Sequence, residues 1–197
     1  MLVLRLPEPM LARSGPIPTG PGWRFEPKLD GFRCLVCTHG GFRARSRRGW
    51  DMAPLLSELE QALPVNVQLD GELVAFDADG NPDFHRLSAR MLHRQNDIPV
   101  AYMVFDVLAF DGEPTTRESY RQRRELLQAL TFDERVARVV STFPDGQVLF
   151  GVVCERGLEG VIAKREREAY RPGERLWVKT KNVAAARYAD ELAGFSR

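Results

Sequence analysis

The chain has 197 residues, 44% of them hydrophobic and 28% charged, with a formal net charge of +1. This is the composition of an ordinary globular protein, long enough for one large domain or two small ones with a proper core. It argues against a membrane-spanning run, a disulfide scaffold and a uniformly basic nucleic-acid binder, so any contact with nucleic acid must come from local patches.

The opening "MLVLRLPEPML" lacks the charged head and long apolar centre of a signal peptide, and a cytoplasmic protein is expected. Residues 7–22 are rich in Pro and Gly and read as an irregular arm. Strand patterns follow at about 23–28, 32–38 and 42–47, split by "DG" and "HGG" turns. Residues 54–63 have helical spacing with Pro at the start. Residues 67–76 read as a strand kinked at Asp70–Gly71, and 83–92 as a helix. A strong buried strand covers 101–110, an amphipathic helix 119–130 and a strand 137–143. A helix over 145–157 is stopped by Gly157. Two closing strands lie in "EGVIAKRE" and "ERLWVKTKN", and the Ala-rich tail after 182 has a helical composition. Hairpins mixed with crossovers predict an α+β fold with largely antiparallel sheets, not a doubly wound parallel sheet.

The titratable residues divide unevenly. Cys34 and Cys37 are spaced C-x-x-C, but in a strand an offset of three points to opposite faces and no second pair follows; buried or half-buried thiols are expected. His39, His85 and His93 have no metal-ligand spacing. The arginine run 43–48 is the better nucleic-acid candidate, whereas "RQRR" (121–124) reads as the wet side of its helix. Lysine is scarce. Of 28 basic residues only Lys28, Lys164, Lys179 and Lys181 are lysines. Arginine supplies charge and phosphate contacts, but only lysine readily yields a nucleophilic amine. Lys28, in "RFEPKLDGFR", ends a strand just before a DG turn. A solvated hairpin lysine is the plain alternative to a nucleophile, which needs nearby positive charge and partial burial.

"KLDGFR" resembles the first signature of the covalent nucleotidyltransferases, which include ATP-dependent DNA ligases, RNA ligases and mRNA capping enzymes. "SRRG" (46–49), "LDGELVAFD" (69–77), "YMVFDVL" (102–108), "EGVIAKRE" (159–166) and "WVKTKN" (177–182) resemble the later signatures, in order. The best fit is the adenylation domain of an ATP-dependent DNA ligase of the small bacterial repair type. All four lysines lie in these signatures. The resemblance implies two largely antiparallel β-sheets with flanking helices, an ATP-grasp-like nucleotidyltransferase domain. It implies ATP as co-substrate with Mg²⁺ or Mn²⁺, and nicked or broken duplex DNA as partner.

By the same resemblance Lys28 takes AMP from ATP as a phosphoramidate. Glu26 recognises adenine, Arg33 contacts the ribose and later the nucleic-acid end, and Arg47 holds the nucleotide or a DNA phosphate. Glu72 reaches the ribose hydroxyl or a divalent metal; Asp70, two residues before it, reads as structural. Phe105 stacks on the adenine, although its apolar run alone reads as core. Glu159 helps bind the metal. Lys164, Lys179 and Lys181 neutralise the triphosphate, and alternation in "WVKTK" puts the last two on one face.

The domain organisation expected is an arm over 1–22, the adenylation domain over 23–182 and a tail over 183–197 without the OB-fold domain that most ligases of this family carry. A minimal enzyme, a fragment, and a partner protein that supplies the OB-fold function are the alternatives. Three readings of function remain: transfer of AMP to a DNA 5′-phosphate, transfer to RNA or another acceptor, and a non-catalytic nucleotide- or DNA-binding module.

Overall fold

The computed structural model describes residues 5–185. Strands β1 (Ala12–Ser14), β2 (Trp23–Lys28), β3 (Phe32–Cys37) and β4 (Arg43–Ser46) come first. β1 lies inside the stretch expected to be irregular. It exists because Ala12, Arg13 and Ser14 pair in parallel with Trp177, Val178 and Lys179, a partner far away in sequence. The helix expected over 54–63 is split. A 3₁₀ turn covers Ala53–Leu55, Leu56 leaves helical geometry at φ −132° and ψ 38°, and α1 is confined to Ser57–Ala62.

β5 (Val67–Val74) is followed by α2 (Phe84–Leu92), which Asp83 caps by accepting from the backbone of His85 and Arg86. β6 (Ala101–Phe110) and β7 (Glu113–Pro114) lead to α3 (Tyr120–Ala129), opened by a capping box between Ser119 and Gln122. β8 is three residues long, Ala137–Val139, not seven, and Phe143 bridges to Phe25 instead. Asp145 caps α4 (Gly146–Glu155), and Gly157 follows it at φ 64°. β9 (Gly160–Arg165) and β10 (Trp177–Lys181) complete the fold. Residues 183–185 of the tail are helical, and the rest of that expectation lies outside the described residues.

The chain forms two compact units. The first contains Asp30–Val140, Arg167–Gly173 and, of the described residues, 5–9. Its sheet runs β4-β3-β5-β6-β7, with β8 pairing β6 in parallel. Its core includes Cys34, Val36, Leu59, Leu69, Leu73, Tyr102 and Leu127. The second contains Met10–Leu29, Ser141–Glu166 and, of the described residues, 174–185. Its sheet runs β1-β10-β9-β2 over a core of Trp23, Phe25, Leu149, Val153, Val161, Ala163 and Val178. The α+β expectation and the two sheets agree with this architecture; β1–β10 and β6–β8 are the parallel exceptions.

In the first unit the expected kink at Asp70–Gly71 is a β-bulge. Asp70 pairs with Asp106 and Gly71 with Val104, which leaves Phe105 as the extra residue on β6. Gly71 is required there, since a Cβ would lie 2.5 Å from the Tyr102 ring.

The bulge brings two fully buried aspartates face to face, and each has its own arginine. Arg33 reaches Asp70 at 2.5 Å. Arg123 forks onto Asp106 through Nε at 2.7 Å and Nη2 at 3.0 Å. "RQRR" is therefore not simply a wet face. Arg121 is exposed, but Arg123 is 1% exposed and Arg124 is buried, donating to the Val140 carbonyl. The aspartate inside an apolar strand draws the helix's arginine inward because neither charge is tolerated alone in the interior. Arg123→Leu strands Asp106 without a counter-ion and is expected to lower stability by about 3–5 kcal/mol in urea denaturation. A loss within about 0.5 kcal/mol, typical of a surface change, would contradict it.

Candidate active site

One face of the second unit's sheet packs its apolar side chains with α4. Strand alternation therefore sends Glu26 and Lys28 of β2, Lys164 of β9, and Trp177, Lys179 and Lys181 of β10 to the opposite face. All four lysines of the chain lie on this one face. Lys28 and Lys181 both register with Gly160, one on each side of β9. Their Cα atoms are therefore about 10 Å apart, two strand spacings. Gly160, at φ 153°, is obligatory: a Cβ would sit 2.2 Å from the Thr180 carbonyl oxygen. Glu159 lies just before it and draws both lysines. Lys28 donates from Nζ to Glu159 Oε2, and Lys181 Nζ stands 3.8 Å from Oε1. The Lys28 side chain is about one-fifth exposed.

Further along the same face, Lys164 Nζ donates to Glu26 at 2.9 Å, and both residues are buried. The ammonium also lies 4.4 Å from the Trp177 ring centroid. Lys164 is thus turned towards Glu26. Among the four lysines it is the one whose charge is enclosed, and its immediate work is to hold the Glu26 carboxylate. Lys179 is half-buried in the middle of β10.

The first unit carries the other candidates. Arg33 on β3 registers with half-buried Glu72 on β5. Its guanidinium, bound to Asp70, also lies 4.6 Å from the centroid of the Phe105 ring. Burial works against the Arg33 charge, but the Asp70 carboxylate outweighs it and holds the guanidinium above its ordinary pKa. Phe105 is 8% exposed, with one ring face covered by Arg33, so a base stacked on it would use the other face or displace the guanidinium. Within the arginine run 43–48, Arg43 donates to Cys37 Sγ and to His39 O, and Arg45 to the carbonyls of Leu6 and Pro7. Only Arg47 and Arg48 of that run are exposed.

Burial, together with the charge of Asp70, pushes the Cys34 thiol far up, so it is inert. Cys37 is also buried, whereas Cys154 is exposed; all three are free thiols. Among the described residues no three His, Cys, Asp or Glu side chains group to hold a metal ion. A divalent ion here would draw most of its ligands from phosphate oxygens and water, as Mg²⁺ prefers.

Sequence reasoning missed the support behind these residues. Asp106 had a signal, since a carboxylate in an apolar strand demands a partner. Trp177 lies within the "WVKTKN" signature, where nothing local marks its ring as the neighbour of the Lys164 ammonium. Tyr170, whose hydroxyl donates to Asp70 at 2.6 Å, had none, because its partner lies 100 residues away.

The family model described as "ATP dependent DNA ligase domain" matches residues 9–181. The chain belongs to that family. The multifunctional non-homologous end joining DNA repair protein LigD of Mycobacterium tuberculosis is 39% identical over 184 residues, covering 88% of this chain and 24% of the relative. DNA ligase C1 of Mycolicibacterium smegmatis is 34% identical, covering 89% of this chain and 56% of that protein. The crystal structure of the ligase domain of M. tuberculosis LigD superposes with a TM-score of 0.74 at 35% identity, over 89% of this chain and 60% of that one. A mycobacterial DNA ligase D complexed with ATP and MES gives 0.73 over the same shares. The chain thus corresponds to the adenylation part of longer ligases and spans about a quarter of the LigD relatives.

Lys164→Met leaves Glu26 buried without its cation and is expected to destabilise the protein by about 3–5 kcal/mol. Adding Glu26→Gln should recover most of that loss. Equal costs for Lys164→Met in both backgrounds, measured by urea denaturation, would show that the two side chains do not act as a pair.

Proposed function

We propose that this chain is the self-adenylating domain of an ATP-dependent DNA ligase, with Lys28 as nucleophile. The Lys28 nitrogen bonds to the α-phosphorus of ATP and loses a proton. The bond from that phosphorus to the bridging oxygen breaks, and pyrophosphate leaves. A 5′-phosphate oxygen at a DNA break then takes the AMP and frees the amine. The observation that carries this reading is the row of Lys28, Gly160 and Lys181 with Glu159 between the amines. It joins a partly exposed amine, a second cation for phosphate charge and a carboxylate at one spot. Membership of the ATP-dependent ligase family supports it.

The Lys28 amine must leave its hydrogen bond to Glu159 before its lone pair can meet phosphorus. Lys179 and Lys181 offset the triphosphate charge, and Glu26, fixed by Lys164, reads the base. Arg33 and Arg47 contact the nucleotide and then the DNA end, and Phe105 gives its ring to the adenine. Glu72 and Glu159 are the carboxylates offered to Mg²⁺ or Mn²⁺. Such an ion, when bound with the triphosphate, neutralises charge on the phosphates. DNA as acceptor follows the relatives named DNA ligase and LigD. Sealing of nicks or ends by the whole protein, with an OB-fold in the same polypeptide or in a partner protein, belongs to the same proposal. The setting proposed is the cytoplasm; among the described residues no helix is long and apolar enough to cross a membrane.

Wild-type protein incubated with α-labelled ATP and Mg²⁺ is expected to become covalently labelled, and Lys28→Ala and Lys28→Arg to remain folded and unlabelled. A Lys28 variant that still labels would sink the assignment. Phe105→Ala is expected to weaken ATP binding by about tenfold, within the 1–3 kcal/mol of a base–aromatic stack. Unchanged affinity with lowered stability would make Phe105 a core residue only.

A further inference from the structure

We infer that Tyr170 is a positioning residue for Arg33, acting through Asp70. The inference rests on the reading that Arg33 works in nucleotidyl transfer. Asp70 is 0% exposed and receives hydrogen bonds from two directions. Arg33 donates through Nε and Nη2, both at 2.5 Å, and the Tyr170 hydroxyl donates to Oδ2 at 2.6 Å. A carboxylate gripped only by the arginine it holds is free to pivot with it. A second donor, on a residue that does not move with Arg33, turns that pair into a fixed mount. The mount has a visible result, since the guanidinium is held over the Phe105 ring.

Tyr170 is itself well anchored. It is 2% exposed, and its backbone N–H donates to the Thr116 carbonyl at 2.9 Å. The Arg123 guanidinium lies 5.7 Å from its ring centroid. Arg123 is in turn forked onto Asp106 and donates through Nη1 to the carbonyls of Glu118 and Glu168, the latter two residues before Tyr170. The order of support therefore runs from Asp106 to Arg123, to the Tyr170 segment, to Asp70 and to Arg33. A phenylalanine would fill the same space and keep the cation–π contact. Only the hydroxyl separates a tyrosine that positions from one that packs.

The test compares wild type, Tyr170→Phe, Arg33→Ala and the double variant, with Lys28→Ala as the blank. Lysyl-AMP formation and AMP transfer to nicked DNA are timed, and folding is checked by thermal unfolding. Tyr170→Phe is expected to stay folded and to slow the Arg33-dependent step by about tenfold, 1.4 kcal/mol. The double variant is expected to be no slower than Arg33→Ala, because the hydroxyl has nothing left to position. If Tyr170→Phe slows both backgrounds by the same factor, or changes neither step, the inference is overturned. If Arg33→Ala changes neither step while Lys28→Ala abolishes both, the Arg33 reading fails and the positioning role falls with it. A Lys28→Ala protein that still labels would instead overturn the proposed function. Should Tyr170→Phe not fold, Asp70→Asn interrupts the relay at its middle and is judged by the same comparison.

Discussion

Two aspartates meet across neighbouring strands in the interior of the first unit, and much of that unit is arranged around offsetting them. Asp70 and Asp106 are directly paired residues of β5 and β6, both shut away from water. Like charges at such positions repel, and a buried carboxylate without a partner is among the most destabilising features a fold can carry. The answer is one arginine each, from opposite sides in sequence: Arg33 from β3 and Arg123 from α3. This ties a strand, a bulge and a helix together. It also bears on where Phe105 goes, because the register shift beside Asp70 makes that residue the extra one on β6 at the bulge. The arginine that offsets Asp70 is the one that lies over its ring.

The second unit solves a different problem, holding several cations on one sheet face. It does so by alternating them with glutamates. Glu159 stands between Lys28 and Lys181, and Glu26 takes Lys164. The scarcity of lysine then has a physical sense. A compact ammonium fits the closed space between Glu26 and the Trp177 ring, where a planar guanidinium would demand a fork of acceptors. A primary amine at Lys28 is what the proposed phosphoramidate chemistry needs.

Most strands and helices were legible because their periodicity is local. Much of what failed was set by distant partners. β1 needs β10, and no Pro- or Gly-rich arm announces that pairing. The 54–63 pattern has helical spacing, yet Leu56 breaks away and both segments stay short. "RQRR" has an amphipathic look that hides Arg123, since only the strand opposite shows why a cation is wanted inside. At the site, the signature residues could be named from resemblance, and strand alternation alone put Lys179 and Lys181 on one face. The engagement of Lys164 by Glu26 and the hydroxyl of Tyr170 on Asp70 span 138 and 100 residues, and no spacing rule reaches that far.

The most direct measurement follows the Lys28 peptide by mass spectrometry through a single turnover. ATP and Mg²⁺ are added first, excess ATP is removed, and 5′-phosphorylated nicked duplex is then supplied. The Lys28 peptide is expected to gain AMP and then to lose it as AMP appears on the DNA 5′ end. A peptide that never gains AMP, AMP mapped to another residue, or an adduct that survives the nicked duplex would contradict it.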